Sequence, residues 1–182
     1  MSLVVLIRHT QLASQWKGRC YGQANAGLSR EGRSAARDMA AALDFSNVSM
    51  IATSPLRRAR FLGALIARRY ERALLVENRL AEFNFGGWEG QSWDSIYAQS
   101  GSAMMGLVAS PATFRIEGGE TTFELRDRAM AWFESLPRDK GTIIAVTHGG
   151  PIAAIRGSLS GAAVKDWPAL VPDYGEHVEF SL

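Results

Sequence analysis

The stretch Leu3-Val4-Val5-Leu6-Ile7-Arg8-His9-Thr10, "LVVLIRHT", decides the fold. Five consecutive apolar residues with no polar alternation read as a strand buried on both faces, the kind found in parallel sheets covered by helices. The run then stops on an arginine and a histidine side by side. In open α/β sheets the ligand crevice lies outside the carboxyl ends of the strands, so Arg8 and His9 are delivered to that crevice.

Further apolar runs follow the same plan: "MIAT" (Met50 to Thr53), "LLV" (Leu74 to Val76) and "TIIAV" (Thr142 to Val146) read as buried strands. Between them, Ala36, Met39, Ala40 and Leu43 share one helical face, as do Leu125, Ala129, Trp132, Phe133 and Leu136. Ser54-Pro55 predicts a helix N-cap followed by proline at the first helical position. Thr121 with Glu124 predicts a capping box. The C-terminal "HVEFSL" alternates, with Val178, Phe180 and Leu182 on one side, as an edge strand does. The predicted fold is an α/β three-layer sandwich, a mostly parallel central sheet with helices on both faces, in one domain over residues 1–182. Residues 86–120 break the alternation with glycines, Trp88, Trp93 and short helical pieces near Ser92 to Gln99 and Ala103 to Val108. They read as a small insertion lying as a lid over the C-terminal strand ends.

With 182 residues the chain is long enough to bury a sizeable core. A net charge of only +2 gives no nucleic-acid signature. The basic residues are almost all arginine, with Lys17, Lys140 and Lys165 the exceptions. Arginine's planar fork of donors suits phosphate or carboxylate. Cys20 is the sole cysteine, so no intramolecular disulfide and no thiol cluster is expected. No apolar run approaches a membrane span, and the start lacks a signal-peptide pattern, so a cytoplasmic location is expected.

His9 follows "LVVLIR" and His148 follows "TIIAVT", so two imidazoles sit at two strand ends. "MIATSPLRRAR" supplies a third ending and carries Arg57, Arg58 and Arg60 into a helix. Imidazoles, guanidiniums and the helix N-terminus after Gly149 at one sheet edge suit a phosphate. A metal is not expected, because no H-x-x-x-H, H-x-H or paired Cys/His spacing occurs. "HGGP" also suits an esterase oxyanion loop, but the chain lacks a G-x-S-x-G elbow; Gly157 to Gly161 reads G-S-L-S-G. His177 falls on the polar side of its strand.

Taken in order, "IRHT", "TSPLRRA", "LAEFNFGGWEG", "GGE" and "VTHGG" resemble the histidine phosphatase superfamily in its phosphoglycerate-mutase-like branch, over Ile7 to Gly150. The resemblance implies that His9 is the nucleophile that takes the phosphoryl group. It implies that Arg8, Arg58 and His148 hold the phosphate oxygens, with the Gly149 backbone as a further donor, and that Glu82 protonates the leaving oxygen. Arg57 and Arg60 are then solvated helix charges. Gln15, Tyr21 and Gly22 match positions that contact substrate beyond the phosphate. No cofactor or metal is implied, and the partner is a small phosphorylated metabolite, not a nucleic acid or a membrane. A homodimer through the C-terminal edge strand is a further expectation.

Thr10 departs from the glycine usual after the nucleophile and is expected to bring a hydroxyl and a methyl close to the phosphate. Together with "CYGQ" (Cys20 to Gln23) and "FGGWEGQSWDSI" (Phe85 to Ile96), it resembles the α-ribazole phosphatase-like members. The implied substrate is α-ribazole 5′-phosphate, with Trp88 and Trp93 available to stack on a flat ring. The continuation "ANAGLS" departs from that subgroup's loop. A broad-specificity phosphatase, a phosphoglycerate mutase, a protein phosphohistidine phosphatase and a non-catalytic phosphate-binding module stay open as alternatives.

Overall fold

The first apolar run forms β1 (Leu3–Arg8), and its unalternating character has a plain cause in the structure, a computed structural model describing residues 1–182. Val5 and Ile7 point to one side of the sheet, where they pack with Ile51, Ile144 and Val146 against two helices, α1 (Arg30–Ala42) and α2 (Arg57–Arg69). Val4 and Leu6 point to the other side, with Ile143 and Ala145, against α5 (Thr122–Glu134) and α6 (Gly149–Ser160). Both faces are dry, so successive residues must all be apolar. Each such side chain fully buried contributes about 1.5–3 kcal/mol.

The remaining strands are β2 (Val48–Thr53), β3 (Leu74–Val76), β4 (Thr142–Thr147) and β5 (His177–Ser181), in the order β3-β2-β4-β1-β5. β1 to β4 run parallel, and β5 pairs antiparallel with β1 at one edge. That is the predicted mostly parallel sandwich, with the alternating C-terminal strand at the predicted edge. The Thr121–Glu124 capping box is present in both directions. Between α2 and α5 the chain forms α3 (Trp93–Ser100) and α4 (Gly106–Ala109), joined by a 3-10 turn.

Two local readings are corrected. "LLV" forms a strand but not a buried one: β3 is the short outer strand, with Leu75 48% and Val76 52% exposed. An edge strand has no neighbour on one side to cover it. Ser54-Pro55 does not cap α2, which begins at Arg57 with Leu56 at its N-cap position. Ser54 accepts the Leu56 N–H at 3.2 Å, but its hydroxyl is engaged in the site described next.

Candidate active site

Because β1 and β4 are neighbours with Arg8 opposite Thr147, the residues that follow them meet. The His9 N–H donates to the Thr147 carbonyl at 3.1 Å, and the His9 and His148 rings lie 5.1 Å apart, edge to face. β2 flanks β4 on its other side, and the Ser54 N–H donates to the Val146 carbonyl at 2.9 Å. Arg58, in the first turn of α2, is thereby brought beneath the same strand ends and is fully buried. Arg57 and Arg60 face solvent. Glu82 follows β3 after the 3-10 turn Asn78–Leu80 and is buried as well.

His9 Nδ1–H donates to the Thr10 carbonyl at 2.8 Å. This leaves Nε2 with its lone pair and no partner. Burial, then Arg58 and more weakly Arg8, push the His9 pKa down to about 3 against the raising effect of the Thr10 carbonyl. The ring is neutral throughout the physiological range, as a nucleophilic imidazole must be. His148 Nε2 pairs with Ser54 Oγ at 2.6 Å, and burial followed by Arg58 holds its pKa well below 6.5. Ser54 Oγ, which also accepts the Leu56 N–H, can donate its own proton to His148 Nε2, and in that tautomer the ring proton stands on Nδ1, the nitrogen without a protein partner.

The arginines are held by backbone. Arg58 donates through Nη1 to the Ala24 carbonyl at 2.9 Å and through Nη2 to the Gly22 carbonyl. Arg8 donates through Nη1 to the Pro172 carbonyl at 2.7 Å. Gly22 has φ +35°, and a side chain there would strike Glu89 and the Phe83 carbonyl. In each arginine Nε is buried and unpartnered. Of five such side-chain atoms in the molecule, four are Arg8 Nε, His9 Nε2, Arg58 Nε and His148 Nδ1. Buried polar atoms are rarely left without partners, so this concentration of guanidinium and imidazole nitrogens marks an anion cradle.

Glu82 stands beside the cradle. Its Oε1 accepts the Phe83 N–H at 2.9 Å and the Gly150 N–H at 3.1 Å. The approach to Gly150 needs glycine, since a Cβ there would strike Glu82. The other oxygen, Oε2, makes no hydrogen bond and is left for a substrate. Burial raises the Glu82 pKa, outweighing both N–H bonds and the two arginines, which pull it down. Arg8, Tyr21, Gly22, Glu82, Gly149 and Gly150 border a cavity of about 360 Å³ whose other walls include Phe83, Phe85, Trp93, Leu107, Leu125 and Trp167. The insertion thus contributes Trp93 and Leu107 to the wall; Trp88 lies apart, against Phe114.

Two expectations fail locally. Gln15 sits exposed on the 3-10 turn Ser14–Trp16 and borders no part of this cavity. The Thr10 hydroxyl donates at 2.8 Å to the Gly32 carbonyl at the start of α1, so it braces the chain behind His9 instead of joining the cradle. Other contributors escaped the sequence reading. Arg128 donates through Nη1 to the Arg79 and Ala81 carbonyls and through Nη2 to that of Glu82, and it grips Glu120 with Nε and Nη2. It fixes the segment that presents Glu82. The available signal was a charge beside the apolar stripe of α5, three residues after Leu125. No cluster of three or more His, Cys, Asp or Glu side chains is arranged to hold a metal ion, and no helix is long and apolar enough to cross a membrane.

The two low histidine pKa values give the fold a pH dependence. The unfolded chain takes up protons on both histidines below pH about 6.5, and the folded chain does not. Stability is therefore expected to fall as pH drops below 6.5, by on the order of 4 kcal/mol for His9 by the time pH nears its folded value. Glu82, with its raised pKa, acts in the opposite sense and offsets part of the loss. Urea midpoints measured between pH 7.5 and 4.5 check this; His9→Gln should flatten the slope, and an unchanged slope would refute the assignment.

Compared with known proteins, residues 4–181 match the family model for the histidine phosphatase superfamily (branch 1). The chain is 30% identical over 177 residues to glucosyl-3-phosphoglycerate phosphatase of Mycobacterium tuberculosis, covering 92% of this chain and 79% of that one. The solved native structure of a mycobacterial glucosyl-3-phosphoglycerate phosphatase superposes with TM-score 0.84 at 28% identity, over 98% of this chain and 89% of the other. The α-ribazole phosphatase of Shigella flexneri superposes with TM-score 0.86 over 99% and 90%, but at 19% identity the likeness is one of fold alone.

Proposed function

This chain belongs to the histidine phosphatase superfamily, and from that premise we propose that it hydrolyses phosphomonoesters of a small metabolite through a phosphohistidine on His9, without a metal. The observation that carries the proposal is the set of buried, unpartnered nitrogens on Arg8, His9, Arg58 and His148, gathered at the adjoining ends of β1, β2 and β4. His9 Nε2 attacks phosphorus while the ester P–O bond breaks. Arg8, Arg58 and His148, with the Gly149 N–H, take the charge on the three phosphoryl oxygens. Fixed donors of this kind supply most of what phosphoryl transfer needs. Glu82 gives its proton to the departing alcohol oxygen. The resulting carboxylate then takes a proton from the water that attacks the phosphohistidine, which returns neutral His9 and free phosphate.

The cavity supports a substrate class. Phe83, Phe85, Trp93, Leu107, Leu125 and Trp167 offer dispersion contacts and few hydrogen bonds, and Arg19 at the rim is the one cation besides Arg8. Such walls favour a flat, largely apolar alcohol, and α-ribazole 5′-phosphate, which carries an aromatic base, remains the specific proposal. The same lack of directed polar groups favours a second reading, a phosphatase of broad specificity for aromatic and apolar esters. The test is phosphate release in EDTA from α-ribazole 5′-phosphate, glucosyl-3-phosphoglycerate, 3-phosphoglycerate, sugar phosphates and an aryl phosphate. An α-ribazole preference of about a hundredfold or more in kcat/KM would establish the dedicated substrate. Comparable rates on all aromatic esters would establish the broad reading, and preference for the polar phosphates would overturn both.

A further inference from the structure

The proposed nucleophile lies beneath a roof. The 360 Å³ cavity reaches Arg8, Glu82, Gly149 and Gly150 but stops short of His9, which has no accessible surface. Over the His9 ring lies the ring of Tyr174, centroids 5.4 Å apart. The same tyrosine ring stacks under the Arg8 guanidinium at 4.0 Å. Tyr21 makes the same kind of contact with the other arginine, the Arg58 guanidinium lying 5.2 Å from its ring. The two tyrosine hydroxyls are hydrogen-bonded at 3.0 Å. Two rings joined at their tips thus span the cradle, each seated on one of its arginines.

The surroundings decide which part of this roof moves. The backbone at Tyr174 is pinned: the Gly175 N–H lies 3.2 Å from the Arg8 carbonyl and 3.3 Å from that of His9, and the Arg8 N–H donates to the Glu176 carbonyl at 2.9 Å. Arg8 Nη1 adds its bond to Pro172. The cavity side is equally fixed where it is made of backbone, at Gly22 under Arg58 and at the first turn of α6. Tyr174 itself is 41% exposed and its hydroxyl makes one bond, to Tyr21. Its side chain has room to rotate while its main chain does not.

We propose that Tyr174 controls access to His9: its ring swings aside, breaking the bond to Tyr21, to admit a phosphoryl group, and closes over His9 and Arg8 otherwise. The need for such a gate rests on the phosphatase reading, but its test measures access and not turnover. Diethyl pyrocarbonate acylates accessible neutral imidazoles, and the products are quantified by mass spectrometry of the His9 and His177 peptides. His177, 38% exposed on β5, is the internal reference. In the unaltered protein His9 should react far more slowly than His177. Tyr174→Ala should raise the His9 to His177 ratio by about tenfold or more, and Tyr174→Phe and Tyr21→Phe, which keep both rings and lose the hydroxyl pair, by about the same few-fold factor as each other. A ratio unchanged in Tyr174→Ala overturns the proposal, as does a His9 that is already as reactive as His177. Should Tyr174→Ala fail to fold, no rise in either phenylalanine variant overturns it. A rising ratio in a protein that hydrolyses no ester would uphold the gate and sink the phosphatase reading; hydrolysis with a flat ratio would do the reverse.

Discussion

His9→Ala is expected to abolish ester hydrolysis, with kcat falling on the order of 10⁵-fold, as removal of a nucleophile does in enzymes of covalent mechanism. No neighbour can substitute. The nearest imidazole, His148, has Nε2 tied to Ser54. The guanidiniums of Arg8 and Arg58 carry no lone pair that attacks phosphorus. The variant nonetheless keeps three of the cradle's four unpartnered nitrogens, those of Arg8, Arg58 and His148. Inorganic phosphate should therefore still raise its Tm, which separates loss of chemistry from loss of fold. A labelled ester should leave an acid-labile, base-stable phosphoryl group on the unaltered protein and none on His9→Ala. Retention of more than about a hundredth of the activity would exclude His9 as the nucleophile.

Glu82→Gln produces the second large effect, and its size depends on the alcohol. For an alkyl phosphate, whose alkoxide is a poor leaving group, loss of the general acid lowers kcat by about 10²–10⁴-fold. For p-nitrophenyl phosphate the leaving phenolate needs no proton, so a burst of one equivalent should survive and only dephosphorylation should slow. The pH profile gives an independent reading. Glu82 must be protonated for the first step, and burial holds its proton to higher pH than an ordinary glutamate. Activity of the unaltered protein therefore falls on the alkaline side as Glu82 ionises, and that limb should vanish in Glu82→Gln. His9 contributes no acid limb until pH nears its folded value of about 3. Equal losses for the alkyl and aryl esters in the rate of the phosphorylation step, read from the burst and from kcat/KM, would rule out the acid role.

How far the sequence reading reached depended on what kind of signal each residue leaves. "LVVLIRHT" and "TIIAVTHGG" were legible because a two-faced strand suppresses alternation, and because a polar pair after it has one place to go. "LLV" misled because three apolar residues look the same in a central strand and at an edge. Ser54 looked like a helix cap since the same hydroxyl that accepts a backbone N–H also donates to an imidazole; only the position of His148 decides between the two. Glu82, and Arg58 in preference to Arg57 and Arg60, were singled out through motif context, whereas the helix start at Gly149 followed from the strand that precedes it. Gln15 carried over by motif position, yet its turn points it to solvent. Tyr174 and Arg128 left almost no trace, because their partners lie far away in the chain and their own neighbours are ordinary.

The pairing of β1 with β4 and β5 bears on how the molecule comes into being. β1 is synthesised well before both of the strands that flank it, β4 and β5. Until then, Arg8 lacks the Pro172 carbonyl that aims it, His9 lacks His148, and β1 has neither lateral neighbour. Contacts so distant along the chain form late and slowly. A nascent chain therefore carries the His9 imidazole as an unaimed side chain until β4 and β5 have followed, and the cradle closes only then.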